Sequence, residues 1–160
     1  MYKLIITAIV IVIVGAGVYY SIASKNEDVR YVEQNLQTKD IKMTIYKSPT
    51  CGCCGKYADE MKKQGYDVEV IATDDMNTIR EKYDIPYDRQ SCHTTVVDDY
   101  YIEGHVPMEA VKKLLKERPA IDGIGLPGMP IGTPGMPGPK SAPYEIYQSV
   151  DGEFSIYLTI

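Results

Sequence analysis

The stretch Ile41–Met61, IKMTIYKSPTCGCCGKYADEM, joins two patterns whose junction decides the fold. Ile41–Tyr46 reads as a buried strand, and Ser48-Pro49-Thr50 ends it. Beyond the break, Cys54, Tyr57, Ala58 and Met61 recur at helical spacing, with Gly65 as the stop. Cys51, Cys53 and Cys54 therefore stand where a strand hands over to a helix.

Working outward, Tyr66–Ile71 (YDVEVI) alternates as a second strand. Asp74 or Asp75 caps a helix carrying Met76, Ile79, Arg80 and Tyr83, and Pro86 ends it. Thr94–Val97 and Tyr100–Glu103 form two strands around Asp98-Asp99. Pro107 suits a first helical position, followed by Val111, Leu114 and Leu115 before Arg118-Pro119. The order is β-α-β-α-β-β-α with a C-x-x-C directly after the first strand, which predicts an α/β, thioredoxin-like sandwich. A ferredoxin-like or other two-layer sandwich uses similar elements; the cysteine placement favours the former.

Residues 120–143 are rich in Gly and Pro and contain Pro-Gly-Met-Pro twice, at Pro127–Pro130 and Pro134–Pro137. This composition predicts a Gly/Pro-rich loop, neither helix nor central strand, and so long a loop in a small domain is functional or disordered. Tyr144–Gln148 and Phe154–Ile160 alternate around Val150-Asp151-Gly152, a C-terminal β-hairpin over 144–160 that extends the sheet.

At the other end, Leu4–Ala23 is an uncharged, mostly apolar run, and a helix of about twenty residues rises about 30 Å, enough to cross a bilayer. A cleaved signal peptide is the competing reading, with Ser21-Ile22-Ala23 as its small-x-small site. The length of the run and Tyr19-Tyr20 at its boundary favour a retained anchor. The expected organisation is an anchor or signal segment over 1–24, a polar stalk over 25–40, and a metal-binding domain over 41–160. That domain is expected outside the cytoplasm, tethered to the membrane or, after cleavage, secreted or periplasmic.

The chain has 160 residues, 44% hydrophobic and 24% charged, which suits one globular domain rather than a disordered or polytopic protein. Its net charge of -5 and the absence of a Lys/Arg cluster argue against a nucleic-acid partner. All four cysteines lie between positions 51 and 92, which marks a site rather than a disulfide framework.

Thiols at a helix N-terminus are acidified by the dipole and the free N–H groups, and thiolate serves both disulfide exchange and soft-metal ligation. A dithiol oxidoreductase needs only Cys51 and Cys54. A tetrahedral zinc wants two separated pairs, and adjacent Cys53 and Cys54 point different ways. Two ordinary disulfides are a further alternative. Cu(I) accepts low coordination and shared thiolates, so the crowded sulfurs, with Cys92 opening the strand that faces them, favour copper. Candidate ligands are Cys51, Cys53, Cys54 and Cys92, with His93 beside Cys92, His105 before the third helix, and the thioethers of Met129 and Met136 in the paired Pro-Gly-Met-Pro units. His93 facing solvent on its strand, a capping His105 and gap-filling methionines are the bland counterparts.

KSPTCGCCGKY, SCHTTVV, YYIEGHVP, LLKERP and GLPGMPIGTPGM, in this order, closely resemble the CopG-like copper-resistance family, long catalogued as a domain of unknown function. The resemblance runs from about 41 to 143. It implies an exported thioredoxin-like domain that binds copper through cysteines and takes part in copper handling, with other copper-handling proteins as partners. By position, Cys51, Cys53, Cys54 and Cys92 match the cysteine motifs, His93 and His105 match SCHT and EGHVP, and Met129 and Met136 match the paired PGM. The chain departs from many relatives in having Tyr57 in place of Trp and Glu60 in place of His.

Overall fold

The computed structural model describes Thr38 and residues 40–160. The expected anchor and all but the last residues of the stalk lie outside the described residues. Among the described residues, no helix is long and apolar enough to cross a membrane.

The elements run β1 (Lys42–Lys47), α1 (Gly52–Lys63), β2 (Asp67–Ala72), α2 (Met76–Lys82), a 3-10 turn (Tyr87–Arg89), β3 (His93–Val97), β4 (Tyr100–Glu103), α3 (Met108–Glu117), β5 (Gly123–Gly125), β6 (Glu145–Val150) and β7 (Glu153–Thr159). The result is an α/β fold with one mixed seven-stranded sheet in the order β2-β1-β3-β4-β5-β6-β7. Strands β1/β2 and β4/β5 pair in parallel; the other neighbours are antiparallel.

Register decides which side chains meet. Met43 and Ile45 of β1 pair with Val97 and Thr95 of β3, and Lys47 pairs with His93. Because successive residues of a strand point to opposite faces, His93, Thr95 and Val97 share one face with Met43 and Ile45. On that face Tyr57, Ala58 and Met61 of α1 and Ala110, Val111 and Leu114 of α3 complete the main core. Truncating one such buried side chain, Met61→Ala for example, costs about 2–5 kcal/mol. Thr94 and Glu103, which are paired neighbours, point to the opposite face, where Ile85, Tyr101 and Tyr147 form a smaller core.

Residues 120–143 depart from expectation at their start. Gly123–Gly125 forms β5, a fully buried central strand between β4 and β6. The prolines begin only at Pro127, so the preceding residues keep their N–H groups for the ladder. A Cβ on Gly123 would collide with Tyr101, and one on Gly125 with the Tyr147 ring, so the tyrosines fill the space that side chains of β5 would take. Through β5 the hairpin β6–β7 joins the sheet.

Candidate metal centre

The centre forms at the junction after β1. Cys51 is the N-cap of α1, and its sulfur accepts from the backbone N–H of Cys54 at 3.3 Å. Cys51 and Cys54 are joined by a disulfide across a Cα separation of 5.5 Å, while Cys53 and Cys92 are free thiols. Two separate disulfides are therefore not what the chain forms. Cys53 Sγ is 3.4 Å from Cys51 Sγ, and Cys54 Sγ is 3.6 Å from the carbonyl oxygen of Cys92.

The sulfur atoms of Cys51, Cys53, Cys54 and Cys92 all lie within 4.8 Å of one another. Adjacency does not keep Cys53 and Cys54 apart in this turn, contrary to the expectation from their spacing. A second donor group, Cys54, Cys92, His93 and His105, meets the same 4.8 Å limit. The two groups share Cys54 and Cys92.

Both imidazoles are buried. His105 Nδ1 is 2.7 Å from the carbonyl oxygen of Pro134, which can only accept, so Nδ1 carries the proton and Nε2 presents a lone pair. Burial lowers the His105 pKa, partly opposed by the Pro134 bond, which keeps the ring neutral near pH 7. Its Nε2 is 3.0 Å from Cys92 Sγ. Burial, then the neighbouring Cys53, pushes the Cys92 thiol up to about 12, so the metal-free thiol keeps its proton and donates it to His105. Cys92 lies outside the helix end that acidifies thiols.

His93 is not solvent-facing: it sits at 0% exposure, its ring 4.4 Å from Tyr57 and 4.7 Å from His105 between centroids. Burial, then His105, lowers its pKa to about 3. Its Nδ1 is 3.7 Å from Cys92 Sγ, and its Nε2 is buried without a hydrogen-bond partner. With Nδ1 beside the Cys92 sulfur and the ring held neutral by burial, His93 is chemically suited to a soft or borderline metal ion. Once the Cys51–Cys54 bond is reduced, the four cysteines and two histidines of these groups exceed the four donors of a single tetrahedral ion.

The Gly/Pro segment 127–138 lies over this junction as a strap. Besides Pro134 on His105, its Gly128 carbonyl accepts from the Ser91 hydroxyl. Gly135 has φ +81, and a Cβ there would stand 2.6 Å from the Cys53 carbonyl oxygen, so only glycine lets the strap come this close. Met129 is 53% exposed on the strap. Met136 is half-buried and, with Met108, Lys56, Asp59, Glu60 and Lys63, lines a cavity of about 650 Å³.

Sequence reasoning missed three contributors. Tyr57, placed on the helix by its spacing, packs against both imidazoles. Pro134 acts through its carbonyl, which leaves no side-chain signature. Glu103 is fully buried and binds Thr94 and the backbone of Ser91; a carboxylate ending an otherwise apolar strand was the available signal.

The arrangement defines an α/β protein with a thiol and imidazole cluster able to hold metal. The family model described as "Protein of unknown function, DUF411" matches residues 89–136. Among solved structures, "Copper resistance protein copG- Form 2" superposes with a TM-score of 0.70 at 31% identity, covering 75% of this chain and 98% of that one. Form 1 of the same protein gives 0.69 at 31% identity, covering 75% and 97%. No curated protein matches significantly. The chain belongs to the CopG copper-resistance family.

Proposed function

We propose that this chain is an extracytoplasmic copper-handling protein that holds Cu(I), more than one ion per chain, as thiolate-bound cargo. The observation that carries this reading is the pair of overlapping donor groups sharing Cys54 and Cys92. Shared thiolates suit Cu(I), which is satisfied by few soft donors and tolerates bridging sulfur. Similarity to copper resistance protein CopG supports copper as the metal. Cys51, Cys53, Cys54, Cys92, His93 and His105 are the proposed ligands. Met129 and Met136 are proposed as accessory thioethers, supported by their place on the strap that covers the cluster.

The sheet order β2-β1-β3-β4, with β1 and β2 parallel and the disulfide pair between β1 and α1, supports a thioredoxin-like core. The apolar run Leu4–Ala23 supports membrane anchorage with the domain outside the cytoplasm. The decisive experiment is anaerobic titration of the reduced, full-length chain. Uptake of more than one Cu(I), with zinc displaced by copper, is the expected result; one zinc resistant to copper would overturn it.

The Cys51–Cys54 disulfide favours a linked reading, in which reduced Cys51 and Cys54 lose two protons and two electrons to form the S–S bond while two Cu(II) ions each gain one electron to become Cu(I). The same disulfide also fits a thiol–disulfide oxidoreductase acting on proteins. Such an enzyme would survive loss of Cys92, whereas the copper site would not.

A further inference from the structure

Ser91, the residue before Cys92, is tied at every polar group. Its backbone N–H donates to Glu103 Oε1 at 2.7 Å, its carbonyl accepts from the Arg80 guanidinium, and its hydroxyl donates to Gly128. Glu103 is held in turn: Thr94 Oγ1 donates to its Oε2 at 2.6 Å, and Arg80 Nε stands 3.7 Å from its Oε1. The carboxylate is at 0% exposure and the Arg80 side chain at 14%.

The pair sits on the reverse face of the sheet. Thr94 and Glu103 are register partners on β3 and β4, one position out of phase with His93, which faces α1. Arg80 reaches them from α2. A buried ion pair is seldom a net source of stability, because desolvating both charges offsets their attraction. The hydrogen bonds made here converge on one backbone unit, and that unit carries Cys92.

We infer that Glu103, with Arg80, is a positioning pair that fixes the Ser91–Cys92 backbone from behind the sheet so that the Cys92 sulfur faces both Cys54 and His105. Neither residue belongs to the donor groups around the sulfurs. It rests on the copper reading for its purpose but makes a claim about geometry that stands apart from it. Partners behind a ligand commonly cost about 10–100-fold in metal affinity when removed, although they coordinate nothing.

The test is Arg80→Met/Glu103→Leu in the full chain, which replaces the ion pair with apolar groups of similar size. Apolar exchange of a buried ion pair is often tolerated, so the chain is expected to fold, with a lowered thermal midpoint because Ser91 and Thr94 lose their partners. Cu(I) affinity, read by competition with a coloured chelator, is expected to fall about 10–100-fold. In the reduced, metal-free protein, Cys92 is expected to alkylate faster relative to Cys53, read by peptide mass spectrometry. Wild-type affinity and wild-type alkylation ratio in the folded double variant would overturn the assignment. Should that variant fail to fold, Thr94→Val deletes only the hydroxyl that fixes Glu103 Oε2; a severalfold drop in affinity supports the assignment and an unchanged affinity and alkylation ratio overturns it. A wild type that binds no Cu(I) would instead defeat the copper reading, while the alkylation ratio would still decide the positioning role.

Discussion

Cys92 Sγ and His105 Nε2 lie 3.0 Å apart, a thiol donating to an imidazole that the Pro134 carbonyl holds in one tautomer. Loss of the thiol proton converts this hydrogen-bonded pair into two adjacent donors for one ion. Cys92→Ser keeps a hydroxyl to donate to His105, so the fold should survive with its thermal midpoint unchanged. Its Cu(I) affinity should fall by at least about tenfold, the smaller cost of losing even an outer partner of a ligand. Chelator competition checks this, and an unchanged affinity would remove Cys92 from the site.

Acid should weaken the metal-free fold through His93. Its pKa is lowered from 6.5 to about 3 by burial and by His105. Below pH 6.5 the unfolded chain takes up a proton that the folded chain refuses, so stability falls as pH drops toward 3. Each tenfold change in proton affinity is worth about 1.4 kcal/mol, so the loss is on the order of a few kcal/mol. Glu103 is shifted upward by burial and works in the opposite sense, since its folded form takes up a proton more readily. The His93 part is therefore the difference between wild type and His93→Leu in denaturant titrations across about pH 4–7, inside the window that the lowered pKa opens. Parallel profiles would contradict it.

Oxidation should empty the site. With Cys51 and Cys54 joined, only Cys53 and Cys92 remain as thiols, and disulfide sulfur is a poor substitute for thiolate. Protein carrying this bond should take up markedly less Cu(I) than fully reduced protein, measured side by side under nitrogen. Equal uptake would favour the oxidoreductase reading.

Gly135→Ala should lift the strap. The residue combines φ +81 with a Cβ position 2.6 Å from the Cys53 carbonyl oxygen, whereas Gly128, at φ +75, has open space there. Both alanines incur backbone strain of about 1–3 kcal/mol. Only Gly135→Ala adds the collision, so its thermal midpoint and Cu(I) affinity should fall below those of Gly128→Ala. Equal behaviour of the two variants would show that the strap is not pressed on α1.

The anchor expected over Leu4–Ala23 is checked by fractionation of the full chain. Recovery with membranes after a high-salt wash is the expected outcome. A mature N-terminus near Ser24, found by mass spectrometry, would show a cleaved signal instead.

The strand-to-helix junction, the order of the first seven elements and the clustering of the cysteines were legible because each follows from local periodicity or spacing. Strand β5 was not: two of its three residues are glycine, which is depleted in strands, and its place is set by Tyr101 and Tyr147, which fill the room it leaves. The burial of His93 was equally hidden, since alternation says which residues share a face but not which face a helix will cover. The tie between Arg80, Ser91 and Glu103 joins residues separated by up to 23 positions and has no local pattern to announce it.

The strap's grip on His105 is made by main chain, at the Pro134 carbonyl, while Gly128 and Gly135 fix its two ends against Ser91 and α1. For that contact the span must preserve its contour length and path. Inserting or deleting one residue between Gly128 and Gly135 would shift the Pro134 carbonyl off the imidazole. Family comparison that scores residue identity alone would thus undervalue the segment, and the spacing between its glycines is the quantity to compare.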